Sequence, residues 1–377
     1  MLHRVAVIVP SLDPPDTLPG FIKDLVKVGL TPVVVDDGSG PGYAPIFDEI
    51  KNVEGAILLS HSSNLGKGRA LKTGFEYSLE VLDVDSVVTA DSDGQHTVED
   101  ILLTARSISE HPAHSSQAVL GVRDFDHHFV PKKSAAGNKI TSRVVQVLFG
   151  RHFKDTQTGL RGFTSALLPL LLRVRGDRFE YEMNMLLRLV HEQVRIKEIP
   201  ILTVYNDIEN SHTHFRPLVD SLRIYAVIFK QFFLFVSSSL AGSAVDLLMF
   251  AVIINLVFNG THAALAVTVA TVAARVSSAV VNFFLNREAV FHDRSSRRRG
   301  IIRYASLAVG LVTASALGVS LLAPIMGGHV VWAKIIIDCL LFVVSFLVQK
   351  RWVFADKTDR LSDAAPKLDE DPIDVSV

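Results

Sequence analysis

Val87-Val88-Thr89-Ala90-Asp91-Ser92-Asp93-Gly94-Gln95-His96 ends a short apolar run in two carboxylates one residue apart. Such a run reads as a buried strand closed by a turn. In extended backbone, residues two apart point the same way, so Asp91 and Asp93 can face one bound cation. A hard divalent ion takes oxygen ligands and shares its shell with substrate phosphates, which suits a diphosphate-bearing ligand. The same pair also fits a solvated turn, so its surroundings decide.

Working outward, strand-like runs at Val5 to Val9, Pro32 to Val35, Ala56 to Leu59, Ser86 to Thr89 and Ala118 to Val122 alternate with helical patterns such as Leu65 to Val81 and Val98 to Ser109. The alternation predicts an α/β domain with a largely parallel sheet, where ligands sit beyond the carboxyl ends of the strands. Polar clusters fall at those ends: Pro10-Ser11-Leu12-Asp13, Asp36-Asp37-Gly38-Ser39, His61-Ser62-Ser63-Asn64 and Asp91-Ser92-Asp93. Any one is compatible with an ordinary turn. Four at one edge predict a binding site.

Asn64-Leu65-Gly66-Lys67-Gly68-Arg69-Ala70 opens a helix with glycines that admit a ligand close to the backbone and two cations placed to meet phosphate. Its spacing matches neither the Gly-x-x-x-x-Gly-Lys-Ser/Thr phosphate loop nor Gly-x-Gly-x-x-Gly, which weakens ATP and NAD readings. Asp155-Thr156-Gln157-Thr158-Gly159-Leu160-Arg161-Gly162-Phe163 groups an acid, hydrogen-bonding side chains and a cation. Arg178 to Met183 opens a long helix, and its Glu180 and Glu182 also suit a helix N-terminus simply as first-turn acids.

The 377 residues are 49% hydrophobic and 20% charged, but this average hides a division near residue 225. Residues 1–225 read as one α/β domain, 226–355 as an all-α membrane domain and 356–377 as a disordered tail. Phe233 to Val257, Ala263 to Leu285, Tyr304 to Met326 and Val330 to Val348 each reach the roughly 20 residues needed to cross the hydrocarbon core. The link between the second and third carries Arg287, Arg294, Arg297, Arg298, Arg299 and Arg303, and Lys350 and Arg351 follow the fourth, while 258–262 and 327–329 hold no Lys or Arg. The positive-inside rule then puts the α/β domain, the arginine-rich link and the C-terminus in the cytoplasm. The run Val5 to Val9 is too short for the core of a signal peptide, in keeping with that side.

Asn282-Phe-Phe-Leu-Asn-Arg-Glu-Ala-Val-Phe291 and Ser345-Phe-Leu-Val-Gln-Lys-Arg-Trp-Val-Phe354 resemble each other and hint at a duplicated two-helix unit. Asp246, Arg275 and Asp338 lie within spans, where charge is costly, so they are expected to pair or to line a polar cavity. The single cysteine, Cys339, excludes an intrachain disulfide and a Cys-based zinc site. A net charge of -1, with no basic stripe interleaved with aromatics, argues against a nucleic-acid partner.

Taken in order, the motifs Val-Pro-Ser at 9–11, Val-Asp-Asp-Gly-Ser at 35–39, Asn-Leu-Gly-Lys-Gly at 64–68, Asp-Ser-Asp-Gly-Gln-His at 91–96 and Asp-Thr-Gln-Thr-Gly-Leu-Arg at 155–161 resemble those of glycosyltransferase family 2 with the GT-A fold. The likeness is greatest to its polyprenyl-phosphate branch, the dolichol-phosphate mannose synthase and bactoprenol glucosyltransferase group, and covers roughly residues 4–230. Phe-Leu-Asn-Arg at 284–287 and Lys-Arg-Trp-Val-Phe at 350–354 resemble markers of GtrA-type membrane domains. The resemblance implies that Pro10, Leu12, Asp13 and Asp37 hold the nucleoside, with Lys67 near its phosphates. It implies that Asp91, Asp93 and Gln95 bind Mg²⁺ or Mn²⁺, with Ser92 alongside at the donor diphosphate. Arg123, Lys133 and Arg161 are implied at the lipid phosphate, and Asp91, Asp93, Asp155 and Arg161 as the catalytic set.

The implied reaction moves a hexose from a GDP-mannose or UDP-glucose type donor to a membrane polyprenyl phosphate by metal-dependent inverting displacement. Two departures stand out. Lys132-Lys133-Ser134-Ala135 replaces the arginines common after Val-Pro, keeping charge but losing the bidentate fork. Ser92 replaces the usual alanine. A processive polysaccharide synthase is an alternative, but Gln349-Lys350-Arg351-Trp352 is one residue short of its Gln-x-x-Arg-Trp and follows the last span. A lipid-linked sugar flippase, or a membrane-anchoring subunit without turnover, is the alternative from another class.

Overall fold

Strand β1 (Val5–Ser11) sends Ala6 and Ile8 to one face of a sheet and Val5, Val7 and Val9 to the other, all buried. A strand covered on both faces reads as an unbroken apolar run, which is how it appears in the sequence. The computed structural model describes residues 4–123, 132–202, 217–257, 264–293, 295–327 and 329–354. These divide into two units, one up to Val227 and one from Ile228. The predicted disordered tail, 356–377, lies outside the described residues.

The first unit continues through α1 (Leu18–Lys27), β2 (Thr31–Asp36), α2 (Ala44–Lys51), β3 (Ile57–Ser60), α3 (Lys67–Glu80), β4 (Ser86–Thr89), α4 (Val98–Ser109), β5 (Gln117–Arg123) and α5 (Lys132–Phe149). Then follow β6 (Arg161–Thr164), α6 (Leu168–Leu172), α7 (Glu180–His191), β7 (Arg195–Ile201) and the start of α8 (Pro217–Val252). The seven strands run in the order β3-β2-β1-β4-β6-β5-β7. All neighbours are parallel except β6, which lies antiparallel between β4 and β5 and sets Arg161 opposite both Thr89 and Leu120. The largely parallel sheet expected from the sequence is therefore a mixed one.

Two strands escape the sequence pattern. β6 is four residues long and opens on an arginine inside a polar motif. β7 mixes the charged Arg195, Lys197 and Glu198 with isoleucines and carries Pro200, as suits a strand at the sheet's edge. Ile22, Leu25, Ile50, Ile101 and Ile108 pack α1, α2 and α4 on one face. On the other, Leu71 and Phe75 of α3 and Tyr181 and Met185 of α7 close the second core, where Phe75 meets Phe163 edge-on at 6.1 Å. With both faces covered, ligand access is left to the strand ends.

The second unit holds the rest of α8, then α9 (Ala264–Leu285), α10 (Arg297–Ile325) and α11 (Val330–Val348). Among the described residues four helical stretches are long and apolar enough to cross a membrane: Asp220–Val257, Ala264–Val290, Arg297–Ile325 and Val330–Val353. They extend the predicted spans chiefly at the arginine-bearing ends. Arg297, Arg298, Arg299 and Arg303, expected in a link, form the first turns of α10. Arginine is a good helix former, and its long stem lets the charge reach beyond an apolar neighbour.

The two similar segments fold alike. After α9 and α11 come five-residue π turns, Asn286–Val290 and Gln349–Val353, and the Phe291 and Phe354 that end them stack at 5.2 Å. Asn286 Nδ2 donates to Gln349 Oε1 at 3.0 Å, joining the two copies by side-chain amides. Arg275 Nε stands 3.6 Å from Asp246, one of the two arrangements expected. Asp338 pairs instead with Lys334, four residues earlier on α11, and accepts from Ser315 at 2.8 Å.

Candidate active site

The loops after β1, β2, β3 and β4 are tied together by their own polar groups. Beyond β1, Asp13 takes a positive φ of 47°, and its N–H donates to Ser39 Oγ at 2.9 Å. Pro10 is buried in β1, and Leu12 and Asp13 are half-buried beside it. The Ser11 hydroxyl is buried and has no hydrogen-bond partner among the described residues. After β2, the Asp37 carboxylate accepts from the N–H groups of Leu65 (3.0 Å) and Gly66 (2.7 Å) and meets His61 Nδ1 at 2.8 Å. His61 Nε2 in turn meets Thr73 Oγ1 at 3.0 Å. Asp37 thus clamps the 61–66 loop. Gly38 must be glycine here: its φ is 75°, and a Cβ would fall 2.3 Å from the Ser63 carbonyl carbon.

That clamp fixes where α3 begins. Gly66 and Gly68 flank Lys67, and a Cβ on either would strike the 177–181 segment, at 2.4 Å from the Asp177 oxygen and 2.5 Å from Tyr181 Cβ. The lysine is therefore held at its root. Its Nζ lies 2.7 Å from Asp91 Oδ1 and 3.0 Å from Glu182 Oε2. Burial would lower the Lys67 pKa, but Asp91 and Glu182 outweigh it and hold it above the ordinary lysine value. Burial would likewise raise Asp91, yet the charge of Lys67 and its hydrogen bond bring it down to about 2.

The turn after β4 orients both carboxylates. The Asp91 N–H donates to His96 Nδ1 at 3.1 Å, and Asp93 Oδ1 accepts from the Gln95 N–H at 3.0 Å. Asp91, Ser92, Asp93 and Gln95 are half-buried. Asp93 is raised above the usual carboxylate range, first by burial and then by repulsion from Asp91. Gly159 presses on this turn so closely that a Cβ would fall 2.3 Å from Asp91 Oδ2.

Among the described residues no three His, Cys, Asp or Glu side chains gather as a complete metal cage. The pair still fits a divalent ion completed by substrate phosphates. Mg²⁺ is usually held by one or two carboxylates plus phosphate oxygens. Asp91, Asp93 and Glu182 against the single ammonium of Lys67 leave an excess of negative charge there, which favours an added cation.

The next group lies around β5 and β6. Asp155 is fully buried and accepts from Arg123 Nε at 2.7 Å and Nη2 at 3.0 Å, with the Gln157 N–H on Oδ1 at 3.0 Å. This bidentate pair joins Arg123 at the end of β5 to the 155–160 turn. Arg161 is only 1% exposed. Its Nε donates to the Thr158 carbonyl at 2.9 Å and its Nη1 to the Glu182 carbonyl at 2.7 Å. The guanidinium braces β6 against α7 and is turned away from solvent. Burial lowers its pKa from the ordinary arginine value. Lys133 lies on α5, and its side chain is outside the described residues.

The structure adds three residues to those chosen from the sequence. Glu182 shares Lys67 with Asp91, His96 orients the Asp91 backbone, and Gly159 packs on its carboxylate. Glu182 reads equally well as a helix-start acid, and only its position two residues into α7 faces it toward Lys67.

These features define a glycosyltransferase of the GT-A kind joined to a multi-pass membrane unit. The chain belongs to glycosyl transferase family 2, whose model matches residues 6–168, and the model for the GtrA/DPMS transmembrane domain matches residues 233–354. One relative is the UDP-N-acetylglucosamine–dolichyl-phosphate N-acetylglucosaminyltransferase of Methanococcus voltae, 31% identical over 194 residues, 46% of this chain and 75% of that protein. Another is the undecaprenyl-phosphate 4-deoxy-4-formamido-L-arabinose transferase of Proteus mirabilis, 24% identical over 182 residues, 46% of this chain and 52% of that one. Among solved structures, glucosyl-3-phosphoglycerate synthase from Mycobacterium tuberculosis, in complex with Mn²⁺, uridine diphosphate and glucosyl-3-phosphoglycerate, is 15% identical with a TM-score of 0.43. It covers 60% of this chain and 78% of that chain.

Proposed function

We propose that this glycosyltransferase moves a hexose from a nucleoside-diphosphate sugar to the phosphate of a membrane polyprenyl phosphate, with inversion and at the cytoplasmic face. The observation that carries the reading is Lys67 on Asp91 at the end of β4, in a chain whose other unit has four membrane-length helices. The names of two relatives, one a dolichyl-phosphate and one an undecaprenyl-phosphate sugar transferase, support the lipid acceptor. Those relatives carry different sugars, and the donor here is of the GDP-mannose or UDP-glucose type.

Asp91 and Asp93, with Gln95, would hold Mg²⁺ or Mn²⁺ against the donor diphosphate, where the ion acts as a Lewis acid on the leaving group. Pro10, Leu12, Asp13 and Asp37 frame the nucleoside pocket. Asp37 works from behind it, by fixing the 61–66 loop and thus Lys67. Lys67 neutralises diphosphate charge. Arg123, steadied by Asp155, meets the acceptor phosphate, and Lys133 is the second candidate cation for it. A phosphate monoester with a second pKa near 6 is mostly dianionic at neutral pH, so its oxygen attacks without a strong base. Asp155, buried and doubly bonded to Arg123, serves as the holder of that cation, and Arg161 braces the turn that carries Asp155. The chief task of these cations is to bring two anions together.

Membranes containing the protein, offered labelled UDP- and GDP-sugars with polyprenyl phosphate, are expected to move label into the lipid phase with one donor. EDTA should stop this and Mg²⁺ or Mn²⁺ restore it. Label released only into water, or full transfer in EDTA, would overturn the reading.

A further inference from the structure

We propose that Lys67 is a resident counter-cation that occupies Asp91 until metal and donor diphosphate arrive together, and that Glu182 is the carboxylate that keeps it when it leaves. The inference rests on the donor and metal reading above. Its first support is geometric. One ammonium bridges two carboxylates from different elements, the turn after β4 and helix α7, at 2.7 and 3.0 Å. The three side chains are only 18%, 28% and 14% exposed, so water screens them weakly.

The second support is that both ends of the Lys67–Glu182 contact are anchored by backbone. Glycines on either side of Lys67 lie tight against residues 177–181, and the Arg69 N–H donates to the Asp177 carbonyl at 3.0 Å. Glu182 is pinned through its own carbonyl by Arg161 Nη1 at 2.7 Å. The side chain of Lys67 can therefore swing while its root and its second anion stay in place. The partner it can give up is Asp91.

Counting charge gives the consequence. Lys67 with Asp91, Glu182 and Asp93 sums to minus two. A divalent ion alone must compete with the ammonium for Asp91, and like-charge repulsion opposes it. A diphosphate brings enough negative charge for both cations, so the ammonium can turn toward phosphate and Glu182. Metal and nucleoside diphosphate should thus bind cooperatively, with Lys67 as the coupling element.

The test is Mn²⁺ binding to the purified full chain, read by the electron-spin signal of free Mn²⁺, alone and with UDP or GDP. Wild type should bind Mn²⁺ roughly tenfold tighter with one of the two nucleotides than without. Lys67→Met should bind Mn²⁺ alone about tenfold tighter than wild type and lose most of the gain from nucleotide. Lys67→Arg should resemble wild type. Glu182→Gln should bind Mn²⁺ alone more weakly, because Lys67 then has only Asp91. The opposite signs of the two changes, and the loss of coupling, are not produced by a damaged fold, which weakens both. Lys67→Met with unchanged or weaker Mn²⁺ binding, or with full nucleotide coupling, overturns the inference and leaves the metal site standing. Wild type that binds no Mn²⁺ even with UDP or GDP overturns the metal reading itself.

Discussion

Asp91 stands at the point where the residues of this site meet: Lys67 on one oxygen, His96 behind its N–H, Gly159 against its carboxylate. Replacing it, or Asp93, by alanine should lower sugar transfer by at least about a hundredfold, the scale for losing a charge-stabilising contact in a transition state. Asp91→Ala leaves Lys67 its Glu182 partner, so melting temperature and detergent extraction should match wild type. Undiminished product would remove both carboxylates from the mechanism. Arg123 makes a second prediction. Arg123→Lys keeps the charge but breaks the fork to Asp155, leaving a buried carboxylate short of a donor. The KM for polyprenyl phosphate should rise about tenfold while the KM for donor holds, the loss expected of one charge-assisted hydrogen bond.

At the level of elements, the site is built by short connections pressed on one another. The 155–160 turn reaches β4 because β6 runs antiparallel beside it, with Arg161 opposite Thr89 and the Thr89 hydroxyl donating to the Gly159 carbonyl at 2.7 Å. Gly159→Ala should therefore displace the Asp91 carboxylate. A misplacement of about 1 Å at a reacting group costs on the order of a hundredfold in rate. The expected outcome is a folded protein with transfer reduced to that degree and Mn²⁺ binding weakened in parallel; normal kinetics would show that the turn yields instead. In the other unit, the duplicated ends of α9 and α11 were visible in sequence as three identities in ten, and the fold expresses them as twin π turns with stacked phenylalanines. The strand β7 was not visible, because the adjacent Lys197 and Glu198 break the alternation that marks a half-buried strand, and Pro200 reads as a breaker.

For the molecule as a whole, the arginines of α10 carry the proposed orientation. Arg297, Arg298, Arg299 and Arg303 occupy the first turns of that helix, and each basic residue near a membrane surface contributes about 1 kcal/mol of attraction to an anionic leaflet. A single cysteine at Ser296, in a Cys339→Ala background, should react with a membrane-impermeant maleimide only after cells are opened. Labelling in intact cells would reverse the proposed orientation. The same result bears on the proposed catalysis, in which nucleotide sugars of the cytoplasm would reach Asp91.

By itself the sequence determined the class of fold and the Asp-x-Asp turn, and it marked a division near residue 225 and four stretches of membrane length. Each of these is written in local periodicity or composition, which a neighbouring stretch cannot alter. Only the tertiary structure decided what the charged groups do. Arg161, a plausible phosphate contact in sequence, is buried and bonded to two carbonyls, and Asp155 is committed to Arg123. Asp37 holds a loop, and Glu182 takes half of Lys67. A side chain's partner depends on residues far along the chain that packing brings near, and a buried charge must find one. The motif names which charges are present; the sheet and the helices over it choose which of them meet.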